Sequence, residues 1–323
     1  MTHVHTNPVS LRVSVTDRCD LHCRYCRGPE GVPIAPGERC IAYEEIVAFV
    51  RLLARGFGLS KVRITGGEPL VRRDIVDLVD MLARLNLPDL ALTTNGQRLS
   101  ELAAPLREAG LDRVNVSLDS LDPETYRTLT RGGDLKRTLA GIEAALAAGL
   151  APVKLNAVVL RGINDGEVAA LARYGLDRGC PVRFLELMPI GVAGPHLSEW
   201  FVPSDEVRAA LCDVFDLQPL PWDTQAASRD FAVTDAAGRE GVVGFISPCS
   251  NAFCAGCRRL RLTASGKLLG CLAQVDGIDV KPILHEGDAT RDARLVEAVH
   301  AALRLKRNGR RFGDQKSMVR IGG

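Results

Sequence analysis

Nowhere in the 323 residues is there an unbroken apolar run of the length needed to span a bilayer, which excludes a membrane-crossing helix. Met1 to Ser10 has neither an apolar signal core nor an Arg-rich amphipathic pattern, so the simplest compartment is the cytoplasm. Charge of one sign is also missing. With 41 Lys and Arg against 39 Asp and Glu, the net charge of +2 gives no global reason to bind nucleic acid or membrane, and any basic site must be local. There is no internal repeat and no low-complexity tract. What remains is an ordinary globular composition, 46% hydrophobic and 25% charged, in a chain long enough for one large domain and a smaller one.

Cysteine, by contrast, is plentiful. Ten in a chain of cytoplasmic character argue for metal or catalytic use, because disulfide frameworks belong to small secreted domains. Cys40, Cys180 and Cys212 stand alone and are expected as buried small hydrophobes. The others fall into two groups.

The first lies in Thr16-Asp17-Arg18-Cys19-Asp20-Leu21-His22-Cys23-Arg24-Tyr25-Cys26, a C-x3-C-x2-C spacing directly after a predicted strand. Three thiolates on one tight loop can hold three irons of a 4Fe-4S cube and leave the fourth iron open to a chelating small molecule. Half of a zinc site is the alternative, but zinc pairs usually have a second pair elsewhere. The second group, Cys254, Cys257 and Cys271, repeats the three-ligand theme. Adding Cys249 gives a set that by spacing alone also suits a plant-type 2Fe-2S cluster or a structural zinc.

From residue 11 to about 188, short Val-, Ile- and Leu-rich runs alternate with helical patterns, as in successive βαβ units. Strands are expected at 11–15, 61–65, 90–94, 113–118, 153–160 and 182–187. Helices are expected at 43–57, 74–85, 99–109, 135–148 and 167–178. Six units imply an α/β fold, an incomplete (β/α)6 TIM-like barrel. Chemistry-bearing residues sit where strands stop: the cysteine loop, Gly66-Gly67-Glu68-Pro69, Thr94-Asn95-Gly96, Ser117-Leu118-Asp119 and Glu186-Leu187-Met188-Pro189. Strand C-terminal ends form the active face of such barrels. Residues 191–203 and 217–228 read as a connection, with a short helix at 204–215 between them. A strand at 241–246 and a charged helix at 292–306 follow. The division is placed at residues 1–220 and 221–323.

The ordered motifs, adding Val62-Arg63-Ile64-Thr65 before the glycines, Asn115-Val116-Ser117-Leu118-Asp119-Ser120-Leu121, Val153-Lys154-Leu155-Asn156, Phe253-Cys254-x2-Cys257 and the terminal Ile321-Gly322-Gly323, resemble the GTP 3′,8-cyclase family. This is the molybdenum cofactor biosynthesis protein A type of the radical S-adenosylmethionine (SAM) superfamily, and the likeness covers nearly the whole chain. It implies two 4Fe-4S clusters on Cys19, Cys23, Cys26 and on Cys254, Cys257, Cys271, with Cys249 a bystander. It implies SAM cleavage to a 5′-deoxyadenosyl radical, hydrogen abstraction from the ribose 3′ carbon of GTP, and attack on guanine carbon 8. The product is (8S)-3′,8-cyclo-7,8-dihydroguanosine 5′-triphosphate, the first step toward the molybdopterin cofactor. No side chain is expected as a conventional catalytic acid, base or nucleophile.

The resemblance carries SAM contacts onto Tyr25, Gly66, Gly67, Glu68, Ser117 and Met188. GTP contacts fall on Arg12, Arg63, Thr94, Lys154, Arg183, Arg259, Leu260 and Arg261. It brings the Gly322-Gly323 end into the active site. It further implies an external low-potential electron donor, hand-over to cyclic pyranopterin monophosphate synthase, and a monomer or homodimer. Arg258 departs from the family's usual Asn and puts extra charge near the guanine site. Arg27-Gly28-Pro29-Glu30-Gly31, Arg131-Gly132-Gly133 and Ala252 also depart, and none removes a cluster ligand. The rival readings are a peptide-modifying radical SAM enzyme with an auxiliary cluster and a nucleic-acid-binding zinc ribbon with Arg258, Arg259 and Arg261 as its phosphate patch.

Overall fold

The computed structural model describes residues 8–27, 40–254, 256–274, 276–306 and 318. Its frame is one sheet of twelve strands. In chain order these are β1 (Val9–Ser14), β2 (Leu59–Thr65), β3 (Leu90–Thr94), β4 (Arg113–Ser117), β5 (Lys154–Val158), β6 (Val182–Leu185), β7 (Asp216–Pro219), β8 (Arg229–Thr234), β9 (Glu240–Ile246), β10 (Arg259–Leu262), β11 (Lys267–Leu269) and β12 (Ile278–Asp279). The spatial order is β12-β11-β10-β1-β2-β3-β4-β5-β6-β9-β8-β7. From β10 across to β9 every neighbour is parallel, and the outer two strands at each end are antiparallel. The six expected units thus gain one parallel strand on each side from the C-terminal part, and among the described residues no pairing closes the ring.

Alternation along each strand sorts the two faces. Leu11, Val13, Val62, Ile64, Val114, Val116, Leu260 and Leu262 are almost fully buried in the main core. Helices cover that face: α1 (Tyr43–Phe57), α2 (Ile75–Ala83), α3 (Leu99–Glu108), α4 (Pro123–Thr130), α5 (Leu135–Ala147) and α6 (Val168–Arg178). In α1 the stripe Ile46, Val47, Phe49, Val50 and Leu53 recurs at helical spacing, and Glu45 accepts from the Ala42 N–H at 2.7 Å to cap the first turn. Later come α7 (Leu197–Trp200), α8 (Ser204–Cys212), α9 (Lys281–Leu284) and α10 (Asp288–Leu305). Among the described residues no helix is long and apolar enough to cross a membrane.

Three expectations need correction. The connection at 217–228 contains most of β7, an edge strand too short and polar to show strand periodicity; its Pro219 is tolerated because edges need not donate on the outer side. The helix α4 was not expected, although Asp122 caps it by accepting from the Thr125 N–H at 2.8 Å and Pro123 opens it. Of the lone cysteines only Cys180 is buried, because Cys212 ends α8 on an outward face and Cys40 precedes the buried Ile41 at the surface.

Candidate functional site

The inward residues meet in one cavity of about 330 Å³ at the C-terminal ends of the parallel strands. Both cysteine triads line it. None of the six thiols is in a disulfide, and among the described residues no three of His, Cys, Asp and Glu converge tightly enough to chelate a single ion. Two sets of three soft donors on a shared cavity fit a pair of iron-sulfur clusters, each short of one protein ligand.

The first loop is held mainly by backbone. The Gly67 and Glu68 N–H groups donate to the carbonyls of Thr16 and Arg18 at 2.6 and 2.8 Å, and the His22 and Arg24 N–H groups donate to Thr130 and Leu129 at 3.1 and 2.9 Å. A Cβ at Gly66 would stand 2.6 Å from the Thr16 carbonyl oxygen, and one at Gly67 2.3 Å from that of Arg18. The two glycines are therefore required by the cysteine loop itself, besides leaving backbone open to a ligand. Glu68 is buried and already engaged, accepting from the Leu70 and Asn95 N–H groups and the Thr94 hydroxyl at 3.0, 2.7 and 2.8 Å. Burial pushes its carboxyl up to about 7 against those three donors. Tyr25 donates its hydroxyl to Asp119 at 2.7 Å, and burial raises Asp119 to about 6.

Around these cysteines the surroundings oppose ionisation. Burial pushes Cys19 up to about 12, with Glu68 and Asp20 adding to the rise. It lifts Cys23 well above the usual thiol range, with Asp119 adding, and takes Cys26 to about 11 even though Arg27 pulls it down. The second loop is different. Burial also disfavours the Cys257 thiolate, but Arg259 and Lys306 outweigh it and bring the thiol down to about 7. Arg259 Nε and Lys306 Nζ donate to Cys257 Sγ at 3.3 and 3.2 Å, and the Arg259 guanidinium lies 4.6 Å from the centre of the Phe253 ring. Cys254, more exposed, is raised by burial.

Between the triads runs a belt of guanidinium groups set by strand register. Arg12 pairs with Arg261 on one side and Arg63 on the other, so all three point to the inner face from adjacent strands. Burial, then mutual repulsion, lowers Arg12 to about 10 and depresses Arg63 and Arg261 well below the usual arginine range. Arg63 Nε finds no hydrogen-bond partner. Arg183 joins from β6, 3.4 Å from Asp230. Buried like charges at this density favour a polyanionic ligand.

Of the residues expected at SAM, Tyr25, Gly66, Gly67, Glu68, Ser117 and Met188 all line the cavity. Of those expected at GTP, Arg12, Arg63, Thr94, Arg183, Arg259 and Arg261 do so, and two do not. Leu260 is fully buried in the core on the opposite strand face from its arginine neighbours, so its side chain cannot reach a ligand. Lys154 sits one pleat below Asn156 on β5, outside the lining, with burial lowering its ammonium to about 8. Arg258 is also absent from the lining, its carbonyl accepting from the Ser10 N–H at 3.2 Å. Gly322 and Gly323 lie outside the described residues, as do Gly28 to Gly31. Sequence reasoning missed Lys306, whose place in the last turn of a charged helix reads as surface.

A family model described as the radical SAM superfamily matches residues 13–175, and one described as Molybdenum Cofactor Synthesis C matches residues 180–312. A protein of Pseudomonas entomophila named GTP 3′,8-cyclase is 46% identical over 92% of this chain and 88% of its own length. One of the same name from Moorella thermoacetica is 44% identical over 97% of both. In fold the chain is similar to Streptococcus suis SuiB bound to S-adenosylmethionine, with a TM-score of 0.60, 15% identity, and coverage of 93% of this chain and 68% of that one. With both cysteine sets on a single barrel-mouth cavity and relatives this similar along nearly the full length, the chain belongs to the GTP 3′,8-cyclase family of the radical SAM superfamily.

Proposed function

We propose that the cavity binds SAM beside Cys19, Cys23 and Cys26, and GTP beside Cys254, Cys257 and Cys271, and that the protein converts GTP to (8S)-3′,8-cyclo-7,8-dihydroguanosine 5′-triphosphate. The observation that carries the reading is the arginine belt between two cysteine triads on one cavity. Clusters and SAM bound there would supply the radical chemistry, which belongs to the cofactors. The chain supplies position and exclusion of water. Arg12, Arg63, Arg183 and Arg261 hold the triphosphate through fixed guanidinium forks, with Lys154 beneath them. Tyr25, Gly66, Gly67, Ser117 and Met188 shape the SAM end, where the Asn95 N–H and Thr94 hydroxyl lock Glu68 in place. Apolar Leu185, Leu187 and Ile246 keep the reacting carbons away from solvent.

With the division at residues 1–220 and 221–323, the first part presents SAM and supplies Arg12, Arg63 and Arg183 to the triphosphate, and the second supplies Arg261 and the cysteines beside the guanine. The reading puts the protein in the cytoplasm, with an external low-potential electron donor, hand-over to cyclic pyranopterin monophosphate synthase, and a monomeric or homodimeric state.

The test is anaerobic reconstitution followed by incubation with SAM, GTP and reductant. Protein holding about eight irons that yields 5′-deoxyadenosine and a cyclised nucleotide supports the reading. Zinc in place of iron, or no nucleotide product, overturns it.

A further inference from the structure

Helix α10 ends against the second cysteine loop. Its Ala298, Val299 and Ala302 are buried, and a Cβ at Gly270 would stand 1.9 Å from the Ala302 carbonyl oxygen, so only glycine fits immediately before Cys271. One turn further on, Lys306 lines the cavity. A lysine at a helix C-terminus ordinarily hydrogen-bonds the last carbonyls of its own helix. Lys306 does not do so. Its Nζ donates to Cys257 Sγ at 3.2 Å and to the Arg259 carbonyl oxygen, both on the opposing segment. Cys257 thus has an ammonium and a guanidinium on one sulfur, whereas Cys19 faces the neutral Asn95 amide at 3.9 Å.

We infer that Lys306 is a positioning residue for the second cluster: it holds the Cys257 thiolate as a ligand and makes that cluster easier to reduce than the first. A cation beside a ligating sulfur stabilises the more negative, reduced cluster, and hydrogen bonds to the sulfurs are a recognised lever on potential. The contact with the Arg259 carbonyl also fixes the start of β10, the strand that sends Arg259 and Arg261 into the cavity. This inference rests on the second cysteine set holding a cluster, as proposed above.

The experiment is a redox titration of the reconstituted full-length enzyme followed by electron paramagnetic resonance, comparing wild type, Lys306→Met and Lys306→Arg. The signal that responds to added GTP reports the second cluster, and the signal that responds to SAM is the internal reference. In Lys306→Met the GTP-responsive signal should titrate at a more negative potential and release iron to a chelator roughly 10-fold faster, with the SAM-responsive signal unmoved and Lys306→Arg restoring most of both. If Lys306→Met fails to assemble the second cluster, restoration by Lys306→Arg still supports the role, and failure of both variants reduces the lysine to a structural part and overturns it. Unchanged potential and iron release in Lys306→Met also overturn it. A wild-type enzyme with no GTP-responsive signal overturns instead the functional reading on which it stands.

Discussion

The two cysteine loops solve one problem by opposite means. The first is fastened by main-chain bonds to Gly67 and Glu68 after β2 and to the end of α4, in surroundings where burial and nearby carboxylates oppose thiolate formation. The second is bracketed by side-chain cations, and one of its thiols is poised near neutrality. The contrast teaches that the first set depends on metal to draw the protons off its sulfurs, while in the second Cys257 is electrostatically prepared beforehand.

Removing a ligand from each loop gives the widest separation. Cys23→Ala should abolish 5′-deoxyadenosine formation, whereas Cys271→Ala should keep SAM cleavage and lose the cyclised nucleotide, each variant retaining about half of the roughly eight irons. Equal loss of SAM cleavage in both would break the comparison. Next comes Gly67→Ala, where the new methyl meets the Arg18 backbone; a loss of roughly 2–4 kcal/mol in the metal-free protein, read by denaturant unfolding, would show that the first loop is fastened sterically.

The acid-base contrast can be read from alkylation of metal-free protein at pH 7.5. Cys257, brought down to about 7, is mostly thiolate there, while Cys19, pushed up to about 12, is almost wholly protonated, so Cys257 should react at least about 10-fold faster. Its rate should fall as pH drops through 7, and Arg259→Gln should move that midpoint upward. The smallest effect is expected at Arg24, which lies 5.3 Å from the centre of the Trp200 ring. Because the Arg24 main chain does the fastening, Arg24→Ala should cost only about 0.5–1 kcal/mol and leave the first cluster's iron content unchanged.

Local patterns carried most of what the sequence revealed. The six βα units were visible because buried parallel strands are continuous apolar runs and their helices keep a helical stripe, and the motifs fell where those runs stopped. The α4 helix is also written locally, in Asp122 followed by Pro123, although its eight residues carry too short an apolar stripe to stand out. Other features had no local trace. That β10 lies beside β1 is a pairing across some 250 residues, and it alone puts Arg261 next to Arg12. Leu260 shows how alternation divides a motif: its side chain goes into the core while those of Arg259 and Arg261 face the cavity.

That same pairing has a consequence for how the chain is made. During synthesis β1 leaves the ribosome well before β10, so one of its two edges stays bare until Arg259–Leu262 emerges. An unpaired strand edge held open while some 250 residues are made is a template for association with other chains. Truncation before β10 should therefore yield aggregates rather than a stable half-barrel.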